Sequence, residues 1–473
     1  MRRANLAGAI VERAAARPDL RLGTVDDQIR LDRALGFAAG RARALLDAGL
    51  RPGAPVALVG TNSTDYLVSW LACLLAGAPV ALVNPTYPAD LTARMLAPVS
   101  PQMTLTVEDI AAARLEAADV GGLPGLDAAA DDVASFMHTS GTTGLPKFCV
   151  QTHEYFRLMA AAVGGALELR PSDRVLAPLP MFHINPLGYG VVTSLLVGAE
   201  VLTVERFSAR RFWPAVIEEQ ITAMILHAPP VEILKRATGS EDAAGHQVRT
   251  MFFADPDFLR RFSVPTAVSG YGSTEAGGLS HLRRWKADEE MPRNASRHGG
   301  HPRSDIEWRL DEDGIVEVRE KRASALFSGY VAAAGINAAR DADGWFATGD
   351  IGRQGKNDPD YLVFVERAAE SIRVRGEYVP IEFVENELAA VAGLEDHALW
   401  KRCSELVDDE VVLYAVGDPL PFEALRDRID ELPAFMRPVA IAHVQALPRD
   451  AAVGKVQRRL LDEQPVLSWI DLA

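Results

Sequence analysis

Cysteine is scarce. Cys73, Cys149 and Cys403 are the only three in 473 residues, far apart and odd in number. No Cys-x-x-Cys or Cys/His spacing accompanies them, which excludes a disulfide scaffold and a zinc ribbon. A reducing, cytoplasmic compartment is the expectation, with each thiol a packing residue. Positive charge is also short: 49 Lys and Arg face 64 Asp and Glu, a formal net charge of −15. That argues against gripping a nucleic-acid backbone or an anionic membrane through bulk electrostatics, so no nucleic-acid partner is expected. A local cluster of donors can still bind phosphate in an acidic protein. Long apolar runs are missing too. The most membrane-like segment, Leu67–Val83, is interrupted by Ser69, Gly77 and Pro79. Leu67, Trp70, Leu71, Leu74 and Leu75 share one helical face, which predicts a buried helix ending near Gly77 and then a strand over Val80–Val83, not a membrane span. After Arg2 and Arg3 the first apolar stretch is broken by Glu12 and Arg13, which leaves no signal-peptide core. The Gly-x-Ser-x-Gly elbow and the His-Glu-x-x-His pattern are both absent, so the signatures of serine hydrolases and zinc proteases are missing.

What is present is an ordinary globular composition, 48% hydrophobic and 24% charged, over a length that suits more than one domain. Up to about Pro256, short apolar runs alternate with helical patterns. Ala54–Val59, Val80–Val83, Met103–Thr106, Ala134–His138, Val175–Ala177, Val201–Val204, Ala223–Leu226 and Thr250–Phe253 read as strands. Tyr155–Leu167, Leu187–Val197 and Ala209–Glu219 read as helices. The alternation predicts an α/β protein with parallel-rich sheets flanked by helices. Ala111–Asp132, rich in Ala, Asp and Gly, reads as a surface connection. After Gly299, Glu307–Leu310 and Gly314–Arg319 predict a hairpin, part of a β-subdomain. A smaller α+β unit follows: a strand at Ile372–Val374, a helix face of Ile381, Val384, Leu388 and Val391, a strand at Glu410–Val416 and a helix at Phe422–Leu432.

The stretch His138-Thr139-Ser140-Gly141-Thr142-Thr143-Gly144-Leu145-Pro146-Lys147 packs hydroxyls, glycines and a lysine into one loop. Glycines let backbone N–H groups approach an anion closely, and the hydroxyls and lysine add donors, so the loop suits phosphate. Pro146 before Lys147 and Phe148 after it rule out the common P-loop. A polar surface loop has the same composition. Tyr271-Gly272-Ser273-Thr274-Glu275 combines an aromatic face, a hydroxyl and a carboxylate. Glu275 stands where a dinucleotide fingerprint needs its third glycine. Thr348-Gly349-Asp350, the run from Glu366 to Pro380, and Leu447-Pro448-Arg449…Gly454-Lys455…Arg458 complete the series.

In this order, over almost the whole chain, these motifs resemble the adenylate-forming superfamily of acyl-CoA synthetases, luciferases and peptide-synthetase adenylation domains. The likeness leans toward acyl-CoA synthetases of the crotonobetaine/carnitine and fatty-acid type, with Phe364-Val365-Glu366-Arg367 and Arg375-Gly376-Glu377 behind that leaning. The resemblance implies a large N-terminal domain, 1–369, for nucleotide and acid, a hinge near Glu370, and a small mobile C-terminal domain, 370–473. It implies that Thr139, Ser140, Gly141, Thr142, Thr143, Gly144 and Lys147 cradle the β- and γ-phosphates of ATP. Tyr271, after which Gly272 follows, would stack on adenine, Thr274 would bind the α-phosphate, and Glu275 would help ligate Mg2+. Asp350 would accept from the ribose hydroxyls, Arg367 would face ribose or phosphate, and Gly376 would let the pantetheine of CoA pass. Lys455 would bridge carboxylate and α-phosphate, and His183 would lie beside the acyl pocket, although a packed core histidine reads equally well there.

The implied activity is an AMP-forming acid–CoA ligase that works through an acyl-adenylate (acyl-AMP). Two departures stand out. Phe252-Phe253-Ala254-Asp255-Pro256 replaces the family's glycine pair, where Asp255 could accept from the adenine amino group, and Ala368-Ala369-Glu370 replaces the usual acidic or Lys-Asp hinge. They raise the alternatives that the chain performs only the thioester-forming half on an acyl-adenylate from a separate adenylating enzyme, or loads a carrier protein. Small residues at Gly188, Gly190, Ala254, Gly277 and Gly278 suggest a roomy pocket, hence a bulky or cyclic carboxylic acid.

Overall fold

In the computed structural model most of the expected apolar runs become buried strands, while the edge strand Met103–Leu105 is only partly covered. The structure describes residues 5–114, 116–139, 146–333, 335–367, 372–374, 377–403, 409–449 and 456–472. They fall into two compact units. The first is drawn from Met1–Pro85, Leu96–His138 and Phe148–Ala368, and the second from Thr86–Met95 and the described parts of Thr139–Lys147 and Ala369–Ala473.

The first unit carries two large sheets. One, seven-stranded among the described residues, runs in parallel through Val133–Thr139, Val80–Val83, Val56–Val59 and Met103–Leu105. Lys147–Thr152, Gly329–Ala332 and Gly335–Asn337 extend its other side. The second sheet has thirteen strands among the described residues. Its parallel part runs Thr266–Tyr271, Thr250–Phe252, Ala223–Ile225, Arg174–Leu176, Glu200–Thr203, Arg21–Thr24. The expected hairpin appears as Ile306–Leu310 and Ile315–Glu320, with Trp308 opposite Val318. The antiparallel β-subdomain is continuous with this sheet through Thr266–Tyr271 and His281–Lys286.

Helices cover these sheets. Thr64–Leu75 is capped by Ser63, whose side chain accepts from Tyr66 N. As expected it is a buried helix, and the side away from that apolar face is covered as well. It ends before Gly77, whose φ of +69° suits glycine. The segment expected as one helix over Leu187–Val197 is a π-helix, Asn185–Val192, followed by an α-helix, Thr193–Val197. Pro186 removes a donor and Gly188 and Gly190 weaken α-helical preference, so the wider turn is tolerated. The connection expected at the surface over Ala111–Asp132 is partly interior. Leu123, Gly125 and Leu126 are buried, and a Cβ on Gly125 would stand 1.8 Å from Leu74 O.

In the second unit a four-stranded sheet runs Asp396–Cys403, Asp409–Val416, Ala440–Val444, Val466–Asp471, with one parallel pair between two antiparallel ones. Helices Ile381–Ala389 and Phe422–Glu431 accompany it, which makes this unit α+β as expected.

Candidate active site

The parallel strands of the larger sheet end in the segments expected to carry chemistry. Thr266–Tyr271 runs directly into Gly272–Glu275, and its neighbour Thr250–Phe252 runs into Phe253-Ala254-Asp255. Carboxyl ends of parallel strands are where open α/β sheets bind ligands.

Three residues converge there. The Tyr271 hydroxyl lies 2.9 Å from Asp350 Oδ2 and 2.9 Å from Thr348 Oγ1. It has one proton, and the carboxylate is the stronger acceptor. Thr348 Oγ1 donates to Val316 O at 2.8 Å and accepts from Asp350 N at 3.2 Å, which folds the Thr-Gly-Asp turn onto the tyrosine. Asp350 and Tyr271 are both buried. Phe364 stacks near Tyr271, with centroids 6.0 Å apart and planes at 22°. The backbone of Arg367 sits opposite Asp350 in the strand register.

Behind Tyr271 stands a residue the motifs did not single out. His281 pairs with Tyr271 across the strands and is fully buried. Ser280 Oγ donates to Tyr271 O at 3.2 Å and lies 2.9 Å from His281 Nδ1. The hydroxyl proton being used, the network assigns the proton on Nδ1 of His281 and leaves Nε2 a bare acceptor near Trp308, an orphan among its buried polar atoms. Burial pushes the His281 pKa down to about 3, so the ring is neutral at physiological pH.

Glu275 is 5% exposed, and its two oxygens differ. Oε1 accepts from the Tyr330 hydroxyl at 2.9 Å, while Oε2 is buried without a hydrogen-bond partner among the described residues. An orphaned carboxylate oxygen is costly unless something occupies it, and a hard cation is the natural occupant. Groups of three or more His, Cys, Asp or Glu side chains able to hold a metal unaided are absent among the described residues. Mg2+ is commonly held by one or two carboxylates plus substrate phosphates. Tyr330 pairs with Cys149, two residues beyond Lys147. The Thr274 carbonyl accepts from the Tyr155 hydroxyl at 2.8 Å, and Ser273 caps the turn through Ala276 N at 3.2 Å. Gly272 is required by close approach: a Cβ there would stand 2.2 Å from Gly278 O.

His183 is brought to the base of the phosphate loop. Its ring centroid is 5.7 Å from that of His138 and 4.8 Å from that of Phe182. His138 and Phe148, which flank the loop, are 6.1 Å apart. Thr139 ends strand Val133–Thr139, and Lys147 opens the next strand with an exposed side chain. Ser140, Gly141, Thr142, Thr143, Gly144, Gly376 and Lys455 lie outside the described residues, as does the side chain of Arg367.

Two expectations meet a different geometry. Asp255 Oδ1 caps helix Pro256–Phe262 by accepting from Phe258 N at 2.7 Å, and Oδ2 accepts from Lys235 Nζ at 3.0 Å. Both oxygens thus have intramolecular work. Phe253 next to it holds φ at +91°, a conformation glycine adopts easily and phenylalanine at a cost of about 1–3 kcal/mol. The backbone shape of a glycine turn is therefore kept without the glycine.

The small residues do not leave a roomy pocket. A Cβ on Gly188 would stand 2.4 Å from Met159 Cε, one on Gly190 2.5 Å from Ala177 Cβ, one on Gly277 2.4 Å from Ala325 O, and one on Gly278 2.5 Å from Met159 Sδ. Ala254 is itself buried in a hydrophobic cluster. These positions are small because neighbours fill the space, which removes the reason for expecting a bulky or cyclic acid.

The buried Tyr271–Asp350 contact and the buried Glu275 carboxylate lie in the segments whose motifs resemble those of adenylate-forming enzymes. The AMP-binding enzyme family matches residues 37–336, well over half of the chain, and the chain belongs to that family. Its fold is similar to that of a double mutant of o-succinylbenzoate CoA synthetase MenE from Bacillus subtilis bound with the product analogue OSB-NCoA. That match has a TM-score of 0.82 at 21% identity and covers 98% of this chain and 99% of that one. ATP-bound MatB from Rhodopseudomonas palustris matches with a TM-score of 0.66 at 21% identity, covering 98% of each chain. In sequence the chain is 27% identical to the medium/long-chain-fatty-acid–CoA ligase FadD6 of Mycobacterium tuberculosis, over 83% of this chain and 74% of that protein. It is 29% identical to the crotonobetaine/carnitine–CoA ligase of Proteus mirabilis, over 70% of this chain and 66% of that one. A separate adenylating partner finds no support among these relatives. No helix among the described residues is long and apolar enough to cross a membrane.

Proposed function

We propose that this chain is an AMP-forming acid–CoA ligase that makes its thioester through an acyl-adenylate. The reading is carried by the contact of Tyr271 with Asp350, together with a buried Glu275 oxygen that has no hydrogen-bond partner among the described residues. In the first step a carboxylate oxygen of the acid bonds to the α-phosphorus of ATP, and the bond to pyrophosphate breaks. Such a step needs positioning and charge neutralisation more than covalent help. Tyr271 and Asp350 hold base and ribose, the Thr274 hydroxyl binds the α-phosphate, and the phosphate loop with Lys147 holds the departing phosphates. Glu275 would hold Mg2+, and the ion would supply neutralisation of phosphate charge. Lys455 places a cation between carboxylate and α-phosphate. In the second step the CoA sulfur bonds to the acyl carbon, the bond to AMP oxygen breaks, and the thiol proton passes to solvent. Gly376 lines the thiol's path after the C-terminal domain turns about a hinge near Glu370. A cytoplasmic setting belongs to this reading, because the ligase takes ATP and CoA.

The purified protein, given ATP, Mg2+, CoA and a panel of acids, should release AMP and acyl-CoA in equal amounts. Release of ADP, or AMP release that ignores the acid, would overturn the proposal. Carrier-protein loading would show as acylation of a phosphopantetheinyl protein with CoA unreactive.

A further inference from the structure

We propose that the acid is short and that Tyr189 sets its length. The inference rests on the ligase reading and names the substrate class of that same site. With the nucleoside assigned to Tyr271 and Asp350 and the α-phosphate to Thr274, the acyl group is assigned to the side where Tyr155 holds the Thr274 carbonyl. The segments flanking that side are the turn ending at Gly278 and the strand ending at Phe252. Tyr189 spans the gap between them. Its hydroxyl donates to Gly278 O at 2.8 Å, and its ring meets Phe252 edge-on, with centroids 5.3 Å apart. Met159 closes the same space from helix His153–Ala166, packed where a Cβ on either Gly188 or Gly278 would collide with it. Tyr155, one turn earlier on that helix, holds the Thr274 carbonyl. Tyr189 and Met159 are both buried. Gly188 and Gly278 thus leave room for the Met159 thioether, and Gly278 for the Tyr189 ring, so this chain's own side chains fill the space beside both glycines. An acid with a tail of about one to three carbons, of the acetate-to-butyrate kind, is the class that such a wall would admit.

The test is kcat/KM for acid-dependent AMP release with acetate, butyrate, hexanoate, octanoate and benzoate. Wild-type enzyme should prefer acetate or butyrate and lose at least about tenfold on going to hexanoate. Tyr189→Ala should raise kcat/KM for hexanoate and benzoate about tenfold and leave acetate within about threefold. Tyr189→Phe, which keeps the ring, should keep the wild-type profile. If Tyr189→Ala gives no cooperative melt, Met159→Ala opens the same space from the other side and should relax the profile in the same sense. A wild-type preference for octanoate or benzoate would overturn the proposal and leave the ligase reading standing. A folded Tyr189→Ala with an unchanged profile would overturn the role of Tyr189. Absence of acid-dependent AMP release with every acid, long or short, would instead sink the ligase reading and this proposal with it.

Discussion

The Tyr271 hydroxyl and Asp350 Oδ2 stand 2.9 Å apart although 79 residues separate them in the chain. The bond joins the ring proposed to stack on the base to the carboxylate proposed to hold the ribose, so the two halves of the nucleoside site move as one. Tyr271→Phe keeps the stacking face and removes the tether. KM for ATP should rise about tenfold, the order of a charge-assisted hydrogen bond, with kcat within about threefold. Steady-state AMP release checks this, and an unchanged KM would disconnect the pair from nucleotide binding.

Glu275→Gln retains an acceptor for Tyr330 and removes the charge. The Mg2+ concentration for half-maximal rate should rise at least about tenfold, and kcat should drop by roughly a hundredfold. Titrating Mg2+ at saturating ATP measures both. A lower rate with unaltered metal dependence would reject the cation role.

Asp255 separates a structural role from a nucleotide role. Asp255→Ala loses the helix cap and the Lys235 partner, and should destabilise the fold by about 1–2 kcal/mol in denaturant melts. KM for ATP should not change. A rise in KM, larger than in Asp255→Asn, would restore the role in holding the adenine amino group.

Two buried imidazoles make the fold acid-sensitive. Burial lowers His281 to about 3 and His153 to about 4, from an ordinary 6.5. His153 Nδ1 also accepts from Leu6 N at 3.3 Å, a bond that protonation would break. Both folded values lie below the unfolded ones, so below 6.5 the unfolded chain binds more protons. Stability is therefore full above pH 6.5 and is lost as pH falls toward the folded values, at about 1.4 kcal/mol per pH unit for each ring. Chemical melts at a series of pH values measure the slope, which His153→Gln should reduce. A flat profile across that window would refute the assignment.

Lys455, outside the described residues, separates the half-reactions by its motif. Lys455→Ala should lower pyrophosphate exchange by at least about a thousandfold, the scale of losing a key charge stabiliser, and leave thioester formation from preformed acyl-adenylate within about threefold. Equal loss of both would contradict the role.

Much of this was legible in residue order. Val80–Val83 and Thr250–Phe252 were readable because a continuous apolar run bounded by turn residues suits a strand buried on both faces. Helix Thr64–Leu75 was readable for its spacing, but not that its polar-looking side is also covered, since the pattern records composition and not neighbours. Gly188 and Gly278 were misread as open space. A missing side chain leaves room, and the one-dimensional string does not say that Met159 fills it. That Asp255 holds Lys235, twenty residues away in sequence, was invisible for the same reason.

Residue order by itself determined the kind of backbone each segment makes and the chemical groups it brings: a ring, a hydroxyl and a carboxylate in Tyr271–Glu275, a carboxylate at Asp350, a donor-rich loop before Lys147. Those follow from local sterics and from side-chain chemistry, which need no knowledge of distant chain. Tertiary packing alone decided that Tyr271 meets Asp350, that one oxygen of Glu275 is buried without a hydrogen-bond partner among the described residues, and that Tyr189 fills the gap beside Gly278. Each of these depends on which side chains are pressed together when the apolar faces leave water, a collective outcome that no segment carries alone.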